Sequence, residues 1–341
     1  MNIEKMKLAD MKRCYCASNI ELNGTNHPIF ASEDPNVGCI MFGGKNFEHQ
    51  VTLWKEAGGC MSIIPIPNTQ GEFLAVQEFY LKVSPSLSKI VWGKYTDNGF
   101  VIKDVLQMPY IHRFDIYEKN GINYFIGATI ASSKENKEDW SVPGRIYVGT
   151  LPTDLNEGLK VEVLADGFFK NHGYWHDLEE GCGYFGSDQG IVKVSAPASK
   201  EDTWKIEKVM DGQIGEIAVL DIDGDGEKEI MTIEPFHGTG IHIYKKIEGT
   251  YQIVYTYANE IDFAHTLVGG YLRGVPTFLA GVRRLDAELF YVQYIEGKFV
   301  TTLIEKGVGP ANIMLINEKD RDIIIAANHT KNEAALYIVK D

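Results

Sequence analysis

The chain has little of what marks several common protein classes. Helical periodicity is nearly absent, and what remains is an all-β signal. Positive charge is outnumbered, with 33 Lys and Arg against 47 Asp and Glu. A net charge of −14 over 341 residues argues against a nucleic-acid or anionic-membrane surface, because both require a basic face. The five cysteines, Cys14, Cys16, Cys39, Cys60 and Cys182, are odd in number and fit no zinc spacing. They predict reduced thiols in a cytoplasmic protein. No apolar signal core follows Met1, and no run approaches membrane-spanning length. Also missing are a Gly-x-Ser-x-Gly elbow, a phosphate-cradling loop and a dinucleotide-binding strand–turn–helix.

What is present is a series of short runs rich in Val, Ile, Tyr and Phe, broken by Gly, Asn and Asp turns. The runs recur as strand–turn–strand units. Inner-strand starts fall near residues 14, 60, 112, 172, 217, 265 and 312. Steps of about 45–60 residues with some four strands each predict β-propeller blades. The expected fold is therefore all-β: a single seven-bladed β-propeller over residues 1–341, with four-stranded antiparallel blades. The N-terminal strand is expected to close the last blade, because closure removes exposed sheet edges. An irregular pair of β-sandwiches is the competing fold.

One turn stands apart. Asp221, Asp223 and Asp225 alternate in the stretch Asp221-Ile-Asp-Gly-Asp-Gly226, between two apolar runs. Short carboxylates so spaced can gather a hard cation such as calcium or cap the turn's own amides. No Glu stands at the twelfth position of a calcium loop.

Nine histidines occur, and several share a place in the repeat. His112, His172 and His265 stand at inner-strand starts. His237 and His329 follow the second strand of their units. In an antiparallel hairpin those two positions are neighbours, so all five are expected on one face. Imidazole suits zinc, manganese, iron or nickel. His172, His237 and His265 are the expected metal ligands, with His112, His329 and Tyr174 as acid–base candidates. Arg113, Arg283, Asn312 and Asn328 fall in matching places and suit substrate oxygens or a carboxylate. Hydrogen-bonded structural histidines and internal arginine salt bridges are the plainer readings. His242 reads as structural, His176 as a turn residue, and Trp140 and Trp175 as rim or core aromatics.

The Asp-Ile-Asp-Gly-Asp-Gly turn followed by Glu229-Ile-Met-Thr-Ile233 resembles the FG-GAP/VCBS type of propeller repeat. The resemblance implies the propeller fold and at most one calcium site. The histidine-bearing loops are similar in kind to those of propeller lyases and dehydratases of the oligogalacturonate lyase and aldos-2-ulose dehydratase kind. That likeness implies a divalent transition metal held by histidines and β-elimination from a keto-sugar, keto-glycoside or uronide. The alternatives are a non-enzymatic propeller binding a glycan or protein, and a metal-assisted hydrolase such as a lactonase. A small carbohydrate is the expected partner, with no nucleic acid and no membrane.

Overall fold

The computed structural model describes residues 1–80, 84–96, 98–199 and 201–341. The chain forms seven four-stranded antiparallel sheets, each built from strands consecutive in the chain except the last, which takes up the N-terminal strand. It is a seven-bladed β-propeller. The first strands of the blades are Cys14–Leu22, Ile63–Pro65, Ile111–Lys119, Gly173–Asp177, Glu216–Leu220, Asp262–Leu272 and Pro310–Asn317. Each begins within a few residues of the start expected from the repeat. Asn2–Asp10 pairs antiparallel with Glu333–Lys340, with Met6 opposite Leu336, which is the expected closing strand.

Two sequence features account for the blades. Second strands carry apolar runs in their interiors, as in Asp322–Asn328, where every residue is buried; such runs fit a strand covered on both faces. Fourth strands are polar and largely exposed, as in Lys205–Met210. Hairpins such as Asn120-Gly121 and Arg273-Gly274 turn in two residues, both at positive φ. That backbone matches the twist of the flanking strands.

The chain divides into two compact units. Ser18–Gly212 carries four blades. Its core includes Tyr117, Ile126, Ile146, Val148 and Phe185. Met1–Ala17 with Gln213–Asp341 carries three, packed around Leu279, Tyr291, Ile313, Ile324 and Tyr337. All five cysteines are buried thiols. Cys14, Tyr15 and Cys16 lie on one strand and are all buried, so both faces of that strand are covered. Among the described residues, no helix is long and apolar enough to cross a membrane.

Candidate metal and anion site

In the unit containing residues 213–341, the hairpin Glu216–Leu220 and Glu229–Glu234 leads into the segment that carries His237. That segment is pinned by backbone hydrogen bonds. Gly215 N–H donates to Ile233 at 2.7 Å, and Ala264 N–H donates to the Gly238 carbonyl at 3.1 Å. A Cβ on Gly215 would meet Phe236 Cα at 2.7 Å, so only glycine lets the two segments approach. His237 and Phe263 both adopt the left-handed backbone region, at φ 50° and 61°. For bulky residues this costs about 1–3 kcal/mol each and tends to mark functional sites.

The rings form a stack. His237 lies 3.8 Å from Phe236, 4.2 Å from Phe263 and 4.9 Å from His265, centroid to centroid. A ring nitrogen of His237 and one of His265 lie within 4.8 Å of each other. His265 is 1% exposed. Its Nδ1 donates to the Ala311 carbonyl at 2.7 Å. That bond sets the tautomer and leaves the Nε2 lone pair for another partner, as second-sphere carbonyls do for metal-bound histidines. In the structure the partner is Tyr15, whose hydroxyl lies 3.3 Å from Nε2. Tyr15 also meets His329 edge-on at 6.5 Å.

Beside this pair lies a pocket of about 370 Å³ whose lining includes Arg13, Phe263, Arg283, Arg284, His329 and Asn332. Arg283 Nη2 donates to the His329 ring, whose nitrogens lie 2.8 and 2.9 Å away. Accepting that bond requires a ring lone pair. The Arg283 and Arg284 guanidiniums sit 4.9 and 4.4 Å from the Phe263 centroid, and Arg284 also pairs with Asp262 at 3.2 Å.

The unit containing residues 18–212 has its own histidine pair. His112 and His172 are buried, with ring centroids 4.4 Å apart. His112 follows the first residue of its strand, and His172 directly precedes Gly173–Asp177. His176, expected in a turn, instead lies in that strand and bonds Asp115 through Nδ1 at 2.9 Å. Tyr174 donates to the same carboxylate at 2.8 Å and meets the Tyr117 hydroxyl at 2.9 Å. Burial, then the Asp115 charge, push the Tyr174 phenol well above its ordinary pKa. Tyr174 therefore holds its proton within a network with Asp115 and Tyr117. Arg113 is buried on the same strand as His112.

Two other expectations meet occupied partners. The Asn328 amide donates to Glu333 at 3.0 Å and to the Tyr337 hydroxyl at 3.2 Å in the blade interior, so it braces the blade. Asn312 is half-buried in the first strand of the same blade. In the acidic turn, Lys245 places its ammonium 2.5 Å from Asp223, 2.6 Å from Asp225 and 3.0 Å from Glu229. Asp221 caps Gly224 and Gly226 N–H groups at 2.7 and 2.9 Å. The charge that a calcium ion would supply comes from a side chain. Burial opposes the charge on Lys245, but its three carboxylate partners overcome this and raise its pKa.

Sequence reasoning missed Tyr15, Arg13 and Phe263. Tyr15 stands between two buried cysteines and carries no motif; only its partners reveal it.

No protein-family model matches the chain, and no curated protein sequence matches it. The FG-GAP/VCBS resemblance therefore carries no more than the fold. Solved structures do match. A candidate 6-phosphogluconolactonase from Bacteroides fragilis aligns over 86% of this chain and 84% of its own, at 12% identity and TM-score 0.59. The Cps50 (Swd1) β-propeller domain of Myceliophteria thermophila aligns over the full length of both chains, at 10% identity and TM-score 0.62. Sqt1 of Saccharomyces cerevisiae aligns over 92% of this chain and 81% of its own, at 10% identity and TM-score 0.53. At such identities the likeness establishes the β-propeller fold alone.

Proposed function

We propose that the protein is a metal-dependent carbon–oxygen lyase acting on a small keto-sugar, keto-glycoside or uronide. The observation that carries this reading is the pair His237–His265, with His265 held by Ala311 through Nδ1. A tautomer fixed by a backbone carbonyl, with a ring nitrogen within 4.8 Å of one on the neighbouring imidazole, fits a nitrogen-ligated divalent metal such as Mn, Zn, Fe or Ni. In this reading His172 is the third ligand, by the repeat position it shares with His265. The metal, when bound, supplies the Lewis acidity that makes the C–H beside a coordinated carbonyl or carboxylate acidic.

The chain's own groups do the rest. His329 is the candidate base for that proton. His112 is the candidate acid. The C–H electron pair becomes the new double bond, the β C–O bond breaks, and the departing oxygen takes up the proton. Arg283 and Arg113 hold the substrate's carboxylate or hydroxyls, with Asn312 as a further donor. Proton abstraction and return without departure would give an isomerase from the same groups.

A second reading is lactone hydrolysis, prompted by the name of the Bacteroides fragilis neighbour. It needs an attacking water, and metal-assisted hydrolases more often draw acidic ligands, whereas this set is imidazole-rich. Elemental analysis of protein purified without chelator, for wild type and His237→Ala, is the test. Near-stoichiometric transition metal that disappears in the variant supports the reading, and product analysis then separates elimination from hydrolysis. A wild type without transition metal overturns it and leaves a binding propeller.

A further inference from the structure

We propose that the cleft lined by Trp204, Tyr124, Lys160, Glu162 and Asp202 binds a sugar ring of an uncharged glycan. Such binding needs neither a metal nor the histidine pair, so it goes beyond the lyase reading.

The cleft lies in the unit Ser18–Gly212 and measures about 400 Å³, within the usual range for small-ligand sites. Two consecutive blades build it. Part of its lining comes from strands Ile122–Thr129 and Gly144–Thr150 and from the segment entering Glu162–Phe168. Past the last ladder pair there, Val148 with Glu162, Gly149 lets the two segments stay close. A Cβ on it would meet the Lys160 carbonyl oxygen at 2.4 Å. The rest of the lining comes from the loop between Gly190–Ser195 and Lys205–Met210, which carries Asp202 and Trp204. That loop is tied to the first hairpin of the preceding blade. Lys119 Nζ donates to the Ala196 carbonyl at 3.0 Å, and the Asn120 amide donates to the Ala198 carbonyl at 2.9 Å. Within the loop, the Ser199 hydroxyl donates to the Asp202 carboxylate at 3.1 Å. The two sides are thus joined before a ligand arrives, which lowers the ordering cost of binding.

The chemistry of the lining selects the ligand. Trp204 is half-buried and meets the Tyr124 ring edge-on at 5.6 Å. Lys160, Glu162 and Asp202 are exposed around it. A cationic ligand would meet Lys160, and an anionic one would meet Glu162 and Asp202. A neutral polyol avoids both penalties, because its hydroxyls accept from an ammonium and donate to carboxylates. The C–H face of a pyranose gives the indole an apolar surface to pack against. Tyr124 adds a further group. It is 2% exposed, and its hydroxyl has no hydrogen-bond partner among the described residues. Buried polar groups are nearly always paired. Burial, then the Asp202 and Glu201 charges, raise its pKa, so the phenol keeps a proton to donate. A ligand hydroxyl in the cleft would supply the partner.

The test is electrophoresis of full-length, chelator-treated protein through gels containing a neutral glucan, mannan, galactan or xylan. Wild type, Trp204→Ala, Trp204→Phe, Tyr124→Phe and His237→Ala are compared, with the thermal midpoint of each. At least one polysaccharide should retard wild type and His237→Ala alike. Trp204→Ala should bind at least about tenfold more weakly, a loss of about 1.4 kcal/mol. Trp204→Phe should fall between, because it keeps an aromatic face. Tyr124→Phe should bind several-fold more weakly, by about one hydrogen bond, without a lower midpoint, since no intramolecular bond is lost. A merely structural Tyr124 would give the reverse, a lower midpoint with unchanged retardation. Absence of retardation in all four gels overturns the proposal, as does equal retardation of wild type, Trp204→Phe and Tyr124→Phe. Retardation lost in His237→Ala but kept in both Trp204 variants would place the glycan at the histidine pair and overturn the cleft. Retardation by polygalacturonate or association with polylysine, with none by the neutral polymers, would overturn the uncharged ligand.

Discussion

The hairpin Glu216–Glu234 ends in two places whose residues attract cations, and they solve the problem differently. At the acidic turn the protein supplies the counter-charge itself. Lys245 reaches three carboxylates, and Asp221 spends its oxygens on two backbone amides. At the His237 end the ring nitrogens are oriented by a carbonyl and by aromatic stacking, and no lysine intrudes among the contacts described. Both were candidate metal sites on residue type alone. What separates them is a lysine some twenty residues further along the chain. At the turn, a side chain from the next strand supplies the charge that the residue types alone would assign to a cation.

The sharpest way to break this contrast is His237→Ala. If the histidine end is the metal site, occupancy and turnover should fall at least about a hundredfold, beyond the tenfold to hundredfold typical of losing an outer-sphere partner. Metal analysis and a steady-state assay read it. Next comes Lys245→Met. Removing the ammonium strands the 0%-exposed Glu229 side chain between aspartates, at a cost of about 2–4 kcal/mol. Thermal unfolding should then become calcium-sensitive, with millimolar calcium restoring part of the loss. Wild type should show no such response, and a calcium-dependent midpoint in wild type would sink the idea that Lys245 takes the ion's place.

Gly215→Ala tests the histidine end without touching a ligand. Its Cβ would press on Phe236, costing about 1–3 kcal/mol and weakening metal binding through displacement of His237. Unchanged metal affinity would mean that the segment has slack. Tyr15→Phe is milder. It removes the hydroxyl beside His265 Nε2, about 1 kcal/mol of stability, and metal should be retained. Loss of metal in this variant would make Tyr15 part of the site itself.

The smallest effect concerns Lys134, an ammonium that donates to the Asp139 carbonyl and sits against an aromatic ring. It lies 3.2 Å from the Trp140 centroid. Burial lowers its pKa to about 8, against the pull of Asp139 and Glu138. The folded state releases this proton more readily than the unfolded chain does. The loop should therefore become relatively more stable as pH rises from about 8 towards the ordinary lysine value. Trp140 fluorescence should titrate near pH 8 in wild type and stay flat in Lys134→Met.

Much of the fold was legible in the residues. The Val, Ile and Tyr runs, the Asn-Gly and Asp-Gly turns and the step length predicted seven blades and the closing strand, because each rests on local backbone preference and on burial of alternating or continuous apolar runs. His237 and His329 fall just past their second strands, as the repeat implied. The candidate site was only partly legible. Tyr174 and Asn328 share repeat positions with plausible ligand groups, yet buried partners close in sequence or on the next blade engage them.

By itself, the sequence determined the architecture and the classes of residue near its loops. Strand periodicity, turn chemistry and hairpin register act over a few residues, so they can be read along the chain. Tertiary structure decided which partners those residues meet. Lys245 against the aspartates, Ala311 behind His265 and Phe263 under two arginines are contacts between segments distant in sequence. Whether a charge is met or left for a ligand depends on three-dimensional neighbours, and no local pattern encodes them.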